Sequence, residues 1–151
     1  MSYRIRRAEA ADIPAIVRFN AAMAWETEDK ELDPTVLTAG VTGLLTHPDY
    51  GFYLVATSEA GEAVGCLLIT YEWSDWRNGL FWWVQSVFVA QPQRGQGVYR
   101  ALYEHVKQLA RESGGVRGFR LYVEEHNHAA QATYRRMGME KTHYLLFEEM
   151  G

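Results

Sequence analysis

The chain has 151 residues, 48% of them hydrophobic and 23% charged, which is enough for one domain with a substantial core and short for two. A net charge of −4 and a pI near 5.7 offer nothing that would draw the whole molecule to nucleic acid or anionic lipid. The single cysteine, Cys66, rules out an internal disulfide and fits a reducing compartment. No apolar run approaches the ~20 residues needed to span a bilayer, and Met1 leads directly into Arg4, Arg6 and Arg7. The expectation is a soluble cytoplasmic protein without a leader, a membrane partner or a nucleic-acid partner.

Residues 3–8 alternate as an edge strand does. Asp12 then caps a helix with Pro14 in its first turn, running to Glu28 on an apolar face of Ile13, Ile16, Val17 and Phe19. Asp33-Pro34 starts a second helix by the same logic, to about His47. Residues 51–58 and 63–73 read as two strands joined by a hairpin turn. Asp75 to Gly79 turns into a fourth strand, 80–89, rich in β-branched and aromatic residues. A helix from about Gln96 to Glu112 stops at Gly114-Gly115. A strand over 119–123, a helix from the Asn127 cap to Met137, and a last strand over 143–147 complete the order β-α-α-β-β-β-α-β-α-β. The fold class is α+β, arranged as three layers, in one domain spanning residues 1–151.

The informative stretch is 85–103, where a strand passes through Arg94-Gly95-Gln96-Gly97 into a helix with an apolar stripe of Val98, Leu102, Val106 and Leu109. Two glycines allow close approach to the backbone, and the unpaired N–H groups of a helix start favour an anion. A phosphate or pyrophosphate held by main-chain donors is the functional reading; an ordinary strand-to-helix connection is the plain one. The stretch is not a P-loop, since no Gly-Lys-Ser/Thr follows. It is not a dinucleotide fingerprint either, because Val98-Tyr99-Arg100 lacks the third glycine.

With this loop assembled, the chain resembles the GCN5-related N-acetyltransferase family, whose pyrophosphate loop reads Gln/Arg-x-x-Gly-x-Gly/Ala. Arg94 and Gly97 match, while Tyr99 replaces the small last residue. The run Leu121 to Met139, with Asn127, Ala129-Ala130, Tyr134 and Gly138, matches the family's downstream pattern. The resemblance implies an acyl-CoA N-acyltransferase fold: a mixed, mostly antiparallel sheet, strands 4 and 5 splayed, and helices on both faces. It also implies acetyl-CoA as acyl donor, no metal, and direct transfer to the amine of a small molecule or peptide. Homodimerisation is common in the family. The alternative is a non-catalytic acyl-CoA-binding or sensing domain of the same fold.

Residue by residue, the resemblance places the pantetheine arm along Val87, Phe88 and Val89. The pyrophosphate falls on Arg94, Gly95, Gln96, Gly97, Val98 and Tyr99, with Asn127, Ala130 and Tyr134 completing the cofactor contacts. Tyr134 matches the general acid. A β-bulge near Gln85-Ser86 is expected to open the sheet and aim an N–H at the thioester oxygen. The fourth strand carries no carboxylate, so Glu26 and Glu28 lead as candidate bases, with Glu72 third. Trp25, Trp73, Trp76 and Gln85 are the acceptor-side candidates, the tryptophans as rings over which an amine can sit. His126 and His128 with Glu124 and Glu125 superficially resemble metal ligands, but alternate residues at a strand-to-helix junction do not converge readily. Cys66, in an apolar strand, reads as packing.

Overall fold

The computed structural model describes residues 2–151 and divides into two compact units, one through Leu121 and one from Tyr122 to Gly151. The first unit holds β1 (Arg4–Arg7), α1 (Ile13–Glu28), α2 (Pro34–Leu45), β2 (Gly51–Thr57), β3 (Ala63–Ser74), β4 (Gly79–Val89), α3 (Val98–Ser113) and β5 (Val116–Arg120). The second holds α4 (His128–Arg136). The strands lie in the order β1-β2-β3-β4-β5. All neighbours run antiparallel except β4 and β5, which are parallel. This is the mixed sheet expected from the sequence.

Alternation along the central strands divides the apolar residues between two faces. One face carries Tyr53, Val55, Cys66 and Phe88, which form a core with Ile16 and Phe19 of α1 and Val41 of α2. The rings of Phe19 and Phe88 stack with centroids 5.3 Å apart. The other face carries Phe52, Tyr71 and Trp82, in mutual ring contact. Phe119 joins this cluster against Trp82 and against Tyr103 of α3. Val98, Leu102 and Val106 are buried, so the helical stripe read from the sequence is the face α3 turns inward. Each such fully buried aliphatic side chain contributes ~1.5–3 kcal/mol relative to exposure.

Four local expectations change. Asp12 does precede α1, but its carboxylate does not cap the helix. It accepts instead from both terminal nitrogens of Arg6, at 2.7 and 3.0 Å, and from the Glu9 N–H at 2.7 Å. The Asp12 carboxyl is held below the usual carboxylate range, first by the Arg6 hydrogen bonds. Helix α2 ends at Leu45, where the Thr46 hydroxyl and the His47 ring bond the last carbonyls. β5 begins three residues early, because Gly115 already accepts from the Leu80 N–H and brings the chain beside β4 at once. Residues 143–147 form no strand. Their composition favours an extended backbone, but a strand also requires a ladder with a neighbour, and among the described residues 143–147 take part in none.

Candidate active site

The parallel pairing of β4 with β5 runs from Leu80↔Val116 to Trp83↔Arg120 and stops there. β4 continues to Val89, still paired with β3 on its other side as far as Gly65↔Val89. Residues 84–89 therefore have an edge without a partner strand, which is the expected splay of strands 4 and 5. Within this length the register breaks: Cys66 faces Phe88 and Leu68 faces Gln85, so Ser86 and Val87 together oppose Leu67. Ser86 has φ of 50°. This is the bulge expected at Gln85-Ser86, and such a bulge re-aims backbone groups away from the ladder.

Below the open edge the chain turns through Gly95 (φ 78°) and Gly97 (φ 82°), both in the left-handed region that favours glycine. A Cβ at either position would meet no atom within 4 Å, so this side of the loop is open. Gly97 begins α3, and its carbonyl accepts from the Ala101 N–H, leaving the preceding amides as the unsatisfied donors of a helix start. The Tyr99 ring stacks on Tyr103 one turn further along α3, at 6.1 Å and 13°. Its bulk thus lies against the helix. Arg94 is anchored three ways: Nε donates to the Val89 carbonyl (2.8 Å), Nη2 pairs with Glu26 (2.8 Å), and the guanidinium sits over Phe88 at 5.2 Å. Open edge, glycine loop and helix start have the shape and the donors for a linear group ending in a pyrophosphate.

On the α1–α2 face of the sheet, a polar strip begins where the apolar core ends. The Gln85 amide donates to the Thr70 hydroxyl at 2.6 Å. One register step further, Glu72 Oε1 accepts from the Trp83 indole (2.7 Å) and from Arg120 (3.1 Å), with Oε2 3.3 Å from the same guanidinium nitrogen. Arg120 also lies over the Phe81 ring at 3.7 Å. A fixed carboxylate, an indole and an amide thus line the sheet beside the bulge. Arg120 and Thr70 were not singled out from the sequence. Arg120 reaches Glu72 only through the parallel pairing that sets it beside Trp83, which no local spacing reveals.

The other candidates are scattered. Glu26 is tied to Arg94 at the glycine loop, and Glu28 ends α1, exposed. Trp25 lies on α1, while Trp73 shares the Tyr71 side of β3 and Trp76 sits in the following turn, 87% exposed. Among the described residues no ring contact joins the three. In the second unit, Asn127 Oδ1 accepts from the Ala130 N–H at 3.1 Å and caps α4, as expected. Tyr134, two turns into that helix, is half-buried, and burial raises its phenol above the usual tyrosine value. The side chains of Glu124, Glu125 and His126 do bring ligand atoms within 4.8 Å of one another, contrary to the expectation from their spacing, but all three are exposed. Cys66 is fully buried, its thiol pushed up to about 12 by burial, and it donates to the Ser86 carbonyl at 3.5 Å. It belongs to the packing beneath the bulge.

Comparison with known proteins agrees with this geometry. Residues 13–139 match the acetyltransferase (GNAT) family, and the chain belongs to that family. Among solved structures it is similar to a possible acetyltransferase from Clostridium difficile 630, with 40% identity, 100% of this chain and 99% of that one covered, and a TM-score of 0.92. An integron cassette protein from the mobile metagenome of Cole Harbour Salt Marsh is 27% identical over 97% of this chain and 89% of that one, with a TM-score of 0.83. A predicted acetyltransferase with acetyl-CoA from Clostridium acetobutylicum shares the fold at 15% identity, a TM-score of 0.79, and coverage of 98% and 96%. No curated protein matches.

Proposed function

We propose that the chain is an acetyl-CoA-dependent N-acetyltransferase that acetylates the amine of a small molecule or peptide by direct transfer. The observation that carries this reading is the open edge of β4 at residues 84–89, beside a bulge and above a glycine loop at a helix start. The open Cβ side of the loop at Gly95 and Gly97 supports the reading that acetyl-CoA binds there. The family match across 13–139 spans both compact units, which supports one functional domain.

When bound, acetyl-CoA supplies an acyl group activated as a thioester. The amides of Gly95 to Tyr99 hold the pyrophosphate at the helix start, with Arg94 adding charge. Backbone groups of Val87, Phe88 and Val89 pair with the pantetheine arm as with an added strand. The bulge at Ser86 would supply a backbone N–H to the thioester oxygen on which charge develops. Asn127 and Ala130 complete the cofactor contacts. Tyr134 Oη holds the proton that a departing thiolate needs. An ordinary phenol, with a pKa of ~10, already carries its proton at physiological pH, and burial raises the Tyr134 value further, which makes the proton harder to give up.

For the acceptor, the geometry favours Glu72 over Glu26 and Glu28. Both carboxylates are paired with an arginine, but Glu72 is fixed on the sheet face beside the bulge, with Trp83 and Gln85 as neighbours, whereas Glu26 lies against Arg94 at the glycine loop. Glu72 attracts the incoming ammonium and takes its proton, directly or through water, and Gln85 with Thr70 borders the same site. One feature favours the non-catalytic alternative: both Glu72 and Glu26 are already paired with arginines, so each carboxylate is occupied before an ammonium arrives.

Calorimetric titration with acetyl-CoA and CoA, followed by thiol release across an amine panel, tests the proposal. Binding with turnover supports it, and binding without turnover for any amine class shifts the assignment to a sensing domain. No binding of either cofactor removes the role given to Arg94 through Tyr99.

A further inference from the structure

A site that only had to receive an ammonium would have no use for surplus positive charge, which repels it. The sheet beside Glu72 nevertheless carries such a surplus. Phe81 of β4 is buried, and two guanidinium groups lie over its ring, that of Arg120 at 3.7 Å and that of Arg77 at 5.0 Å. Gly118 makes room for this ring: a Cβ there would stand 2.7 Å from it. The turn that carries Arg77 is fixed, because Arg117 donates to the carbonyl oxygens of Arg77 and Asn78, each at 2.9 Å. The Arg77 head group donates to the Ser74 hydroxyl at 3.4 Å, and among the described residues no carboxylate pairs with it. Two guanidiniums and one carboxylate therefore gather around one ring, in a chain whose net charge is −4. A guanidinium stacked on an aromatic face keeps its N–H edge for a planar anion.

We propose, resting on the acceptor site assigned above, that the acceptor is an α-amino acid, its amine on Glu72 and its carboxylate on Arg120 and Arg77. The charge spacing selects this class. Glu72 and Arg120 meet at 3.1 Å, and the ammonium nitrogen and nearer carboxylate oxygen of an α-amino acid stand ~3 Å apart by ordinary bond lengths. Laid head to tail against the pair, the zwitterion sets each of its charges on the opposite one without parting Glu72 from Arg120. Its second carboxylate oxygen is left for Arg77. Both members of the pair are partly exposed, so a ligand can reach them. The Trp83 indole donates to Glu72 Oε1 at 2.7 Å and holds that carboxylate in place before the acceptor arrives. An amine without an acid group leaves the guanidinium surplus unanswered, and a long ω-amino acid carries its charges too far apart for the pair. Both are selected against by the same residues that select the α-amino acid.

The test uses the full chain and matched acceptors: the standard α-amino acids, each against its amide and its decarboxylated amine, with aminocaproate and ethanolamine phosphate beside them. Under saturating acetyl-CoA, thiol release should give the best amino acid a kcat/KM ~10–100-fold above its amide, the range of charge-assisted hydrogen bonds. Arg120→Gln should bring that ratio to within about threefold of unity. Arg77→Gln leaves the Glu72–Arg120 pair intact and should lower the ratio about threefold or more. Circular dichroism and CoA affinity should be unchanged in both variants. An amide, aminocaproate or ethanolamine phosphate that outruns every amino acid overturns the proposal, as does a ratio unchanged in either variant. Calorimetric titration of the amino acids and amides into CoA-loaded protein reads recognition without turnover. Amino acids that bind where their amides do not, with no thiol released, support the acceptor class and remove the catalytic assignment. Thiol release with other amines and no amino-acid binding overturns the acceptor class and leaves the transferase standing.

Discussion

Glu72→Gln separates the work of the Glu72 charge from the work of its shape. The glutamine carbonyl oxygen can still accept from the Trp83 indole, whereas the ion pair with Arg120 at 3.1 Å is lost. Coulomb's law at that distance gives ~1.3 kcal/mol in a water-like dielectric and ~5 kcal/mol at an effective dielectric of 20. The two side chains are 41% and 30% exposed, so the lower figure governs. Pairs of this kind contribute ~0.2–1 kcal/mol when measured. The substitution should therefore cost less than ~1 kcal/mol, a drop in Tm of ~2–4 °C or less for a chain of this size. Removing a general base should lower kcat by ~10²–10⁴. The assay is thiol release with saturating acetyl-CoA and an acceptor identified from the amine panel, alongside calorimetric binding of CoA, which should be unchanged. The expected result is a folded protein that binds CoA normally and turns over slowly. If Glu72→Gln retains turnover within about threefold of wild type, the carboxylate is not the base. The proton then leaves through Glu26, Glu28 or bulk water.

Three further outcomes follow from other contacts. Tyr134→Phe should lower kcat while leaving CoA affinity within about twofold, because it removes a proton donor and little binding surface; full activity would exclude the phenol as the acid. Gly97→Ala introduces a side chain at φ 82°, costing ~1–2 kcal/mol in thermal melts, and it places a methyl group where the pyrophosphate is proposed to approach. CoA affinity should fall about tenfold or more. Asp12→Asn breaks the doubly hydrogen-bonded pair between β1 and the start of α1. With Arg6 partly exposed, the loss should be about 2 kcal/mol. Because the folded-state value of Asp12 is depressed, this stabilisation is fully present above the unfolded carboxylate value of ~3.9 and is lost as pH falls through the folded value. The melting difference between wild type and Asp12→Asn should therefore narrow in strong acid and be constant above about pH 5. A difference that grows on acidification would contradict the assignment.

What the sequence made legible was local. Gly95 and Gly97 reveal themselves because only particular residues tolerate the left-handed backbone that such a turn needs. On either side of Pro92, β4 is visible through its β-branched and aromatic composition and α3 through an apolar period of ~3.6. Asn127 could be read as a cap because a cap acts within three residues, and the structure shows that bond. The acceptor side was legible only as a list of aromatic residues. Trp25, Trp73 and Trp76 looked like one group, yet strand alternation and helix placement set them apart. The residues that do converge, Glu72, Trp83 and Arg120, are joined across 48 positions by a parallel strand pairing. Arg94 meets Glu26 across 68. Such partnerships depend on register, and register follows from burial of the whole sheet.

The region 143–147 marks the limit of this kind of reading in another way. Its side chains favour an extended backbone, and the strand expected from that preference does not form. A strand, however, is stabilised by hydrogen bonds to a neighbour and by cover on its faces, and neither is encoded in the segment itself. Within a single chain the preference goes unsatisfied: the backbone is unladdered and the apolar groups face water. A sequence can thus specify that a segment should pair without specifying which molecule's edge it pairs with.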